Sequence, residues 1–127
     1  MKVSELSGAQ LDYWVIKAGG REARFLAEVA QILRPQHEHR GIGSIWFTFQ
    51  PSTEWRDGGP IIERELIGLQ AVADGWFAGI CRPPAPGMRD GRGPTPLIAA
   101  MRCFVASKFG ENVEELPQLV GTQVTTR

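Results

Sequence analysis

Apolar positions form their longest regular pattern between Gly93 and Gly110, where they recur at helical spacing. Thr95 suits the N-cap, Pro96 the first helical position and Gly110 the residue that ends the helix. The pattern therefore predicts a helix of about four turns. We expect its bulky face to pack on a sheet and its small face to admit another helix or a partner chain. The bulky face consists of Leu97, Ile98, Met101, Phe104, Val105 and Phe109, and the small face of Ala99, Cys103, Ala106 and Ser107.

A second amphipathic pattern covers residues 6–20 and predicts another helix. Ser7 suits the N-cap, and Gln10, three residues later, would complete a capping box. We expect Asp12 to face solvent. The predicted buried stripe consists of Leu11, Trp14, Val15 and Ala18.

Strand patterns follow in the middle of the chain. Residues 21–34 have a helical composition, but residues 25–30 also fit a strand entering a hairpin, and the pattern leaves both interpretations open. Residues 42–49 are rich in β-branched and aromatic side chains and predict a strand. Residues 69–81 predict a β-hairpin, because the dipeptide Asp74-Gly75 lies between two apolar runs.

The connection between that strand and the hairpin is rich in turn residues. Ser52 or Thr53 can cap a single helical turn that carries Trp55. A second helix is predicted over residues 60–67, because proline suits its first position, and we expect Gly68 to end it.

These elements predict an α+β fold in a single domain over residues 1–127. We expect one small antiparallel sheet, built from the strand at 42–49 and the hairpin, with the first and central helices packed on it. Helices on both faces would make an α-β-α sandwich. The ordered core is expected to cover residues 1–117, followed by a tail over residues 118–127 that docks or frays.

The charge balance excludes a strong general attraction to nucleic acid or anionic membranes, since 14 basic residues face 14 acidic ones. Cys81 and Cys103 lack the spacing of a metal or redox pair, which favours a reducing, cytoplasmic location. We find no apolar signal core near the first residue and no stretch long enough to span a bilayer.

Metal and nucleophilic chemistry have weak support in the sequence. His37 and His39 are two residues apart in a polar loop, and two distant cysteines do not complete a zinc signature. Cys103 lies on a helix face that packing explains, and no Ser-His-Asp order is recognisable. We therefore expect no metal, no cofactor and no catalytic residue.

An anion-binding site is the main candidate for chemistry. Gly58-Gly59 at a predicted helix start could present main-chain N–H groups to an anion, although a tight structural turn is the stronger interpretation. Arg102 is a charge on a mostly buried helix and needs a partner, and we favour an internal acid such as Glu63. The candidate binding residues are Ser52, Thr53, Trp55, Gly58, Gly59, Thr95 and Arg102.

A loop over residues 82–92 is the one locally basic feature. Arg82, Arg89 and Arg92 stand there against Asp90 alone. No aromatic residue lies among them, so the support for nucleic-acid binding is weak, and a solvated loop is the preferred interpretation.

Several blocks of the sequence carry a family signal: Leu11-Asp12-Tyr13-Trp14-Val15, Pro51-Ser52-Thr53-Glu54-Trp55, Gly58-Gly59-Pro60-Ile61-Ile62-Glu63-Arg64-Glu65, Trp76, Gly93-Pro94-Thr95-Pro96-Leu97-Ile98-Ala99-Ala100-Met101-Arg102 and Val105-Ala106-Ser107-Lys108-Phe109-Gly110. Together they resemble a family of small phage and prophage proteins that includes NinX of lambdoid phages. The resemblance covers the first helix and most of residues 49–110, with Glu54 where the family often has Asp. It implies a phage origin, and it implies no established activity. A looser similarity to other phage domains implies an α-β-α sandwich.

The leading functional hypothesis is therefore a non-catalytic phage or prophage accessory protein in the cytoplasm of a bacterial host. Its expected partner is a host or phage protein, and a second copy of the chain is the candidate for the small face of the central helix. One alternative is a protein that binds a small ligand or nucleotide, with or without enzymatic activity, through the 52–60 turn and Arg102. The other is a nucleic-acid-associated protein that uses the loop at 82–92.

Overall fold

Two separate sheets organise the chain. The computed structural model describes residues 1–35, 43–80 and 89–116, so the predicted His37–His39 loop, Arg82 and the tail at 118–127 lie outside the described residues. The elements are a short 3₁₀ turn Val3–Glu5, α1 Gly8–Ala18, β1 Ala23–Leu26, β2 Val29–Pro35, β3 Ser44–Thr48, α2 Trp55–Glu65, β4 Ile67–Val72, β5 Gly75–Ile80, β6 Arg89–Gly93 and α3 Pro96–Phe109. The α+β class is confirmed.

The first sheet has the antiparallel order β1-β2-β3. Leu26 pairs with Val29, so a two-residue loop joins β1 to β2 and Ala27 in it takes a left-handed φ of 56°. The helical interpretation of residues 21–34 is therefore wrong and the hairpin interpretation is right. Alternation explains the outcome, because Phe25 and Ile32 fall on the face that packs against the core around α1.

The second sheet has the antiparallel order β4-β5-β6. The predicted hairpin is present, but Val72 pairs with Gly75, so its two-residue loop is Ala73-Asp74, one position earlier than expected. The strand β6 pairs with β5 in the region predicted to be a loop. The expected single sheet is wrong, because β3 pairs with β2 and the hairpin pairs with β6.

The central helix begins and ends as predicted. The Ile98 N–H donates to Thr95 Oγ1 at 3.1 Å, and Gly110 has a φ of 86°. Its small face packs on β6, where a Cβ added to Gly91 would lie 2.5 Å from Ala99 O and 2.6 Å from Cys103 N. Small residues therefore let β6 of the same chain approach the helix, where another helix or a partner chain was expected, while Ile98 of the bulky face also packs on β6 at Gly93.

The first helix follows Ser7, but the Ser7 side chain makes no capping hydrogen bond, so the predicted capping box is not formed. Asp12 is buried, with 3% of its surface exposed, where a solvent-facing position was expected. The aromatic side chains beside it join α1 to the first sheet, since the Tyr13 ring stacks on Phe25 at 5.1 Å between centroids.

A single helix, α2, replaces the two predicted ones. It runs through Gly58, Gly59 and Pro60, so the expected glycine turn and the helix start at residue 60 are wrong. Leu66, in a left-handed conformation with a φ of 59°, ends the helix in place of Gly68.

The first residues pair with the segment after α3. The Met1 amino group donates to Val113 O at 2.8 Å, and the Val3 N–H donates to Glu111 O at 2.9 Å. Val3 is buried in the core by this pairing. None of the helices in the described ranges is long and apolar enough to cross a membrane.

Candidate functional site

Ser52 is a structural link. It is 1% exposed, and its main-chain N–H donates to Asp12 Oδ1 at 2.8 Å across 40 residues of sequence. Thr53 and Trp55, the neighbouring candidates, are exposed, and Trp55 retains 53% of its surface. The bond therefore fixes the segment before α2 on α1 and leaves these two side chains in solvent.

The Asp12 carboxyl has a perturbed pKa. Burial raises it from 3.8 to about 6, and the two groups of Ser52 that face it act in the opposite direction. The Ser52 hydroxyl has no hydrogen-bond partner of adequate geometry in the described structure, so its effect on the carboxyl is that of a nearby dipole. The Asp57 carboxylate adds to the increase by repulsion.

The glycine pair has a packing role at only one of its positions. A Cβ on Gly58 would lie 2.5 Å from Pro51 O and 2.7 Å from Leu97 Cδ2, whereas one on Gly59 would meet only the Trp55 ring, at 3.9 Å. The Gly58 N–H donates to Glu54 O at 2.9 Å within α2. This N–H is therefore committed to the helix and is not presented to an anion.

Arg102 is held by main-chain oxygens rather than by the expected internal acid. Its Nε donates to Leu6 O at 2.9 Å and its Nη1 to Arg92 O at 2.7 Å. Burial lowers its pKa, since the site disfavours the charged form. Arg102 thus ties α3 to the start of the chain and to β6, and Thr95 is used in the cap of α3.

The structure does not bring the seven predicted residues together. Arg102 opens onto two adjacent clefts of about 350 Å³ each, which share Ser4 and Arg92. Neither cleft is lined by any candidate from the 52–59 segment. The predicted ligand site is therefore divided between separate parts of the surface.

The part of the basic loop that the structure describes forms no patch of one sign. Arg92, in β6, stacks on the Phe77 ring at 5.1 Å from its centroid. The cleft beside it is also lined by Lys2, Asp90 and Glu111, so charges of both signs alternate there.

A different surface concentrates positive charge, and we call it the basic cleft. It has a volume of about 370 Å³ and lies where α1, α2 and α3 end beside the first sheet. One carboxylate, Glu65, lines it and bonds to Arg64 at 2.9 Å. The cationic rim consists of Arg21, Arg34, Arg64 and Lys108, and the apolar floor includes Val15, Ile16, Ile32, Phe49, Ile61 and Phe104.

Aromatic rings on the floor support the rim cations. The Arg34 guanidinium lies 5.2 Å from the Phe49 centroid. Arg64 and Lys108 lie 6.0 and 5.9 Å from the Phe104 centroid. These distances are within the range of cation–π attraction, so the rings hold the charged groups at the mouth of the cleft.

The basic cleft was not predicted from the sequence. Its four cations come from the segment before β1, the end of β2 and the last turns of α2 and α3, and only the folded chain brings them together. The one available indication was the pair of cations in the last helical turns, Arg64 and Lys108, which also occur at ordinary helix ends.

An apolar edge adjoins this cleft on β3. Ile45 pairs with Arg34 and Phe47 with Ile32, so their side chains stand on the sheet face that carries those cleft residues. Ile45 is 39% exposed and Phe47 is 40% exposed.

Comparison with known proteins places the chain in a family. No curated protein matches it. The family described as Bacteriophage P22, NinX matches residues 2–108, which include every helix and strand of the described structure apart from the last residue of α3. The chain belongs to this NinX family of phage proteins.

Proposed function

We propose that this chain is a non-catalytic phage or prophage accessory protein that binds a host or phage protein in the bacterial cytoplasm. The observation that carries the proposal is the exposed apolar edge formed by Ile45 and Phe47 on β3. Family membership supports the phage origin.

The edge strand has the properties of a pairing surface. Within the described residues β3 has a strand neighbour on one side only. Its sequence, Ser-Ile-Trp-Phe-Thr, contains no charge and no proline, the features with which natural edge strands avoid pairing. Exposed apolar side chains beside main-chain groups that no strand of the described residues pairs with suit the addition of a strand from a partner.

Three of the candidate ligand-binding residues make structural hydrogen bonds within the chain, which supports a protein-binding role over catalysis. The Ser52 N–H is bonded to Asp12, Thr95 caps a helix, and Arg102 is bonded to two carbonyls. A small-ligand site would need the 52–60 segment and Arg102 to line one cleft, and in the described structure they line different surfaces.

Affinity capture from an infected host culture tests the proposal. The bait carries Ile45→Lys and Phe47→Lys together, compared with the unmodified protein and with Leu26→Lys. Leu26 is the matched control, because it is 54% exposed on β1, at the opposite edge of the sheet. We expect one specific protein to be retained by the unmodified and control baits and lost by the double variant, with thermal melts verifying that all three fold.

Two results would reject this function. One is repeated failure to recover any specific protein with the unmodified bait. The other is equal retention of the recovered protein by the double variant, which would exclude β3 as the binding surface.

A further inference from the structure

We propose that the basic cleft binds an acidic segment of the partner protein, with the carboxylates of that segment paired to the rim cations. This inference rests on the proposed function, because it takes the partner to be a protein. It names the chemistry that such a partner must present beside the β3 edge.

Charge is the first argument. Three helix C-termini surround the cleft and contribute about −0.5 elementary charge each. Among the residues that the structure describes, these partial charges and the carboxylate of Glu65 neutralise only part of the four rim cations, which leaves an excess of about 1.5 positive charges. Arg21, Arg34 and Lys108 have no carboxylate within ion-pair distance among the residues that the structure describes. Carboxylates from outside can therefore pair with them.

The floor is the second argument. Phe49, Ile61 and Phe104 lie beneath the cations and are at most 9% exposed, so the floor is a buried apolar boundary already covered by the cations. Opposite charges attract more strongly beside such a boundary than in open water. Guanidinium groups at the rim can bind carboxylates in two-pronged geometry. The carboxylates of an acidic segment therefore gain from both features.

Continuity with β3 is the third argument. Arg34 at the rim pairs directly with exposed Ile45, and floor residue Ile32 pairs with exposed Phe47. A partner strand added at β3 would therefore run past the mouth of the cleft. The two surfaces form one continuous interface for a single extended segment.

Nucleic acid fits the site less well. Single-stranded nucleic acid gains much of its affinity by stacking bases on free aromatic faces. Here Arg34 lies over Phe49, and Arg64 and Lys108 lie over Phe104. A base would have to displace these cations before it could stack.

Fluorescence polarisation with a defined probe tests the inference. The probe is a short fluorescein-labelled peptide that repeats the unit Glu-Glu-Phe, and its comparison peptide repeats Gln-Gln-Phe. We expect saturable binding of the acidic probe alone. Arg34→Glu combined with Lys108→Glu should weaken it at least tenfold. The matched control Arg56→Glu should leave it unchanged, since this side chain is 83% exposed and does not line the cleft.

Three outcomes would overturn the inference. These are equal binding of both peptides, equal binding by the charge-reversed protein, and tighter binding of an oligothymidylate than of the acidic probe, which would assign the cleft to nucleic acid. If the charge reversal alters the thermal melt, Arg34→Gln with Lys108→Gln replaces it, and we expect a smaller loss of affinity in the same direction.

Capture with the charge-reversed bait separates this inference from the proposed function. Loss of the captured protein supports both. Retention by the charge-reversed bait, with loss by the β3 double variant, would leave the function intact and reject the acidic segment. Peptide binding as expected, with no protein captured by any bait, would leave the cleft chemistry intact and reject the function.

Discussion

The main-chain N–H of Ser52 donates to Asp12 Oδ1 at 2.8 Å, and this buried bond joins α1 to the segment before α2. The two residues belong to separate blocks of the sequence, 11–15 and 51–55, that carried the family resemblance. The bond gives a physical reason for pairing these blocks: the N–H of Ser52 is buried and needs an acceptor, which the carboxyl of Asp12 supplies.

Asp12 should make stability fall as the pH rises from about 4 to 6. Its pKa is about 6 in the folded chain, whereas an aspartate in an unfolded chain has a pKa of 3.8, so the folded state binds the proton more tightly. The stabilisation is fully present below the unfolded pKa and is lost as the pH passes the folded one. The difference between these two pKa values corresponds to about 3 kcal/mol in the free energy of unfolding. Urea unfolding at a series of pH values measures it.

Two substitutions at Asp12 distinguish the effect of its titration from the effect of its hydrogen bond with the Ser52 N–H. Asp12→Asn keeps an oxygen for the Ser52 N–H and removes the titration, so the contribution of this site to pH dependence should disappear between pH 4 and 6. Asp12→Ala leaves that buried N–H without a partner and should cost about 1–3 kcal/mol. An unchanged pH profile in the Asn variant would show that other groups control it.

Substitution of the adjacent glycines Gly58 and Gly59 in α2 by alanine should change the free energy of unfolding in opposite directions. Gly58→Ala places a methyl group 2.5 Å from Pro51 O and should destabilise the protein by about 1–3 kcal/mol or more. Gly59→Ala meets nothing closer than 3.9 Å in a helix interior and should stabilise it by about 0.5–1 kcal/mol. Thermal denaturation of both variants compares them directly, and equal effects would contradict the packing of α2 on Pro51.

Leu66 ends α2 in a left-handed backbone conformation. This conformation is energetically unfavourable for a residue with a side chain. Leu66→Gly should stabilise the protein by about 1 kcal/mol, because 62% of the side chain is exposed and little burial is lost. Leu26→Gly is the control: Leu26 is similarly exposed but lies within the strand β1, where glycine should destabilise by about 0.5–1 kcal/mol. Destabilisation by both substitutions would mean that the Leu66 side chain contributes more than its exposure suggests.

Arg102 should prove structural. Arg102→Lys cannot place donors on both Leu6 O and Arg92 O in the same planar geometry, and we expect a loss of about 1–3 kcal/mol in unfolding free energy. Binding of the acidic peptide should be unchanged, because Arg102 does not line the basic cleft. A stable variant with weakened peptide binding would reverse this assignment.

Local sequence patterns predicted the two ends of α3 and the hairpin turn, but not the start of α1 or the course of α2. The cap at Thr95 and the end at Gly110 depend on the chemistry of a few neighbouring residues, and both were correct. The turn near Asp74 was correct to within one residue for the same reason. The Gly58-Gly59 pair led to the wrong prediction of a turn. Glycine is required at position 58 because the helix packs closely there against distant Leu97.

Features that depend on distant contacts were beyond the sequence pattern. Strand composition could not show that β3 pairs with β2 and not with the β4–β5 hairpin. Burial of Asp12 depends on a partner 40 residues away, and the four cations of the basic cleft come from separate segments. Each candidate site residue was chosen from a local pattern, but spacing along the chain did not determine which surface each residue would reach.

Pairing of the first residues with those after α3 has a consequence for synthesis in the cell. Val3 can take its place in the core only when Glu111 is available to accept its N–H bond. At roughly 5–20 residues per second, the ribosome needs on the order of ten seconds to reach that point. Val3 must therefore wait, with its side chain uncovered, until the ribosome has made residue 111.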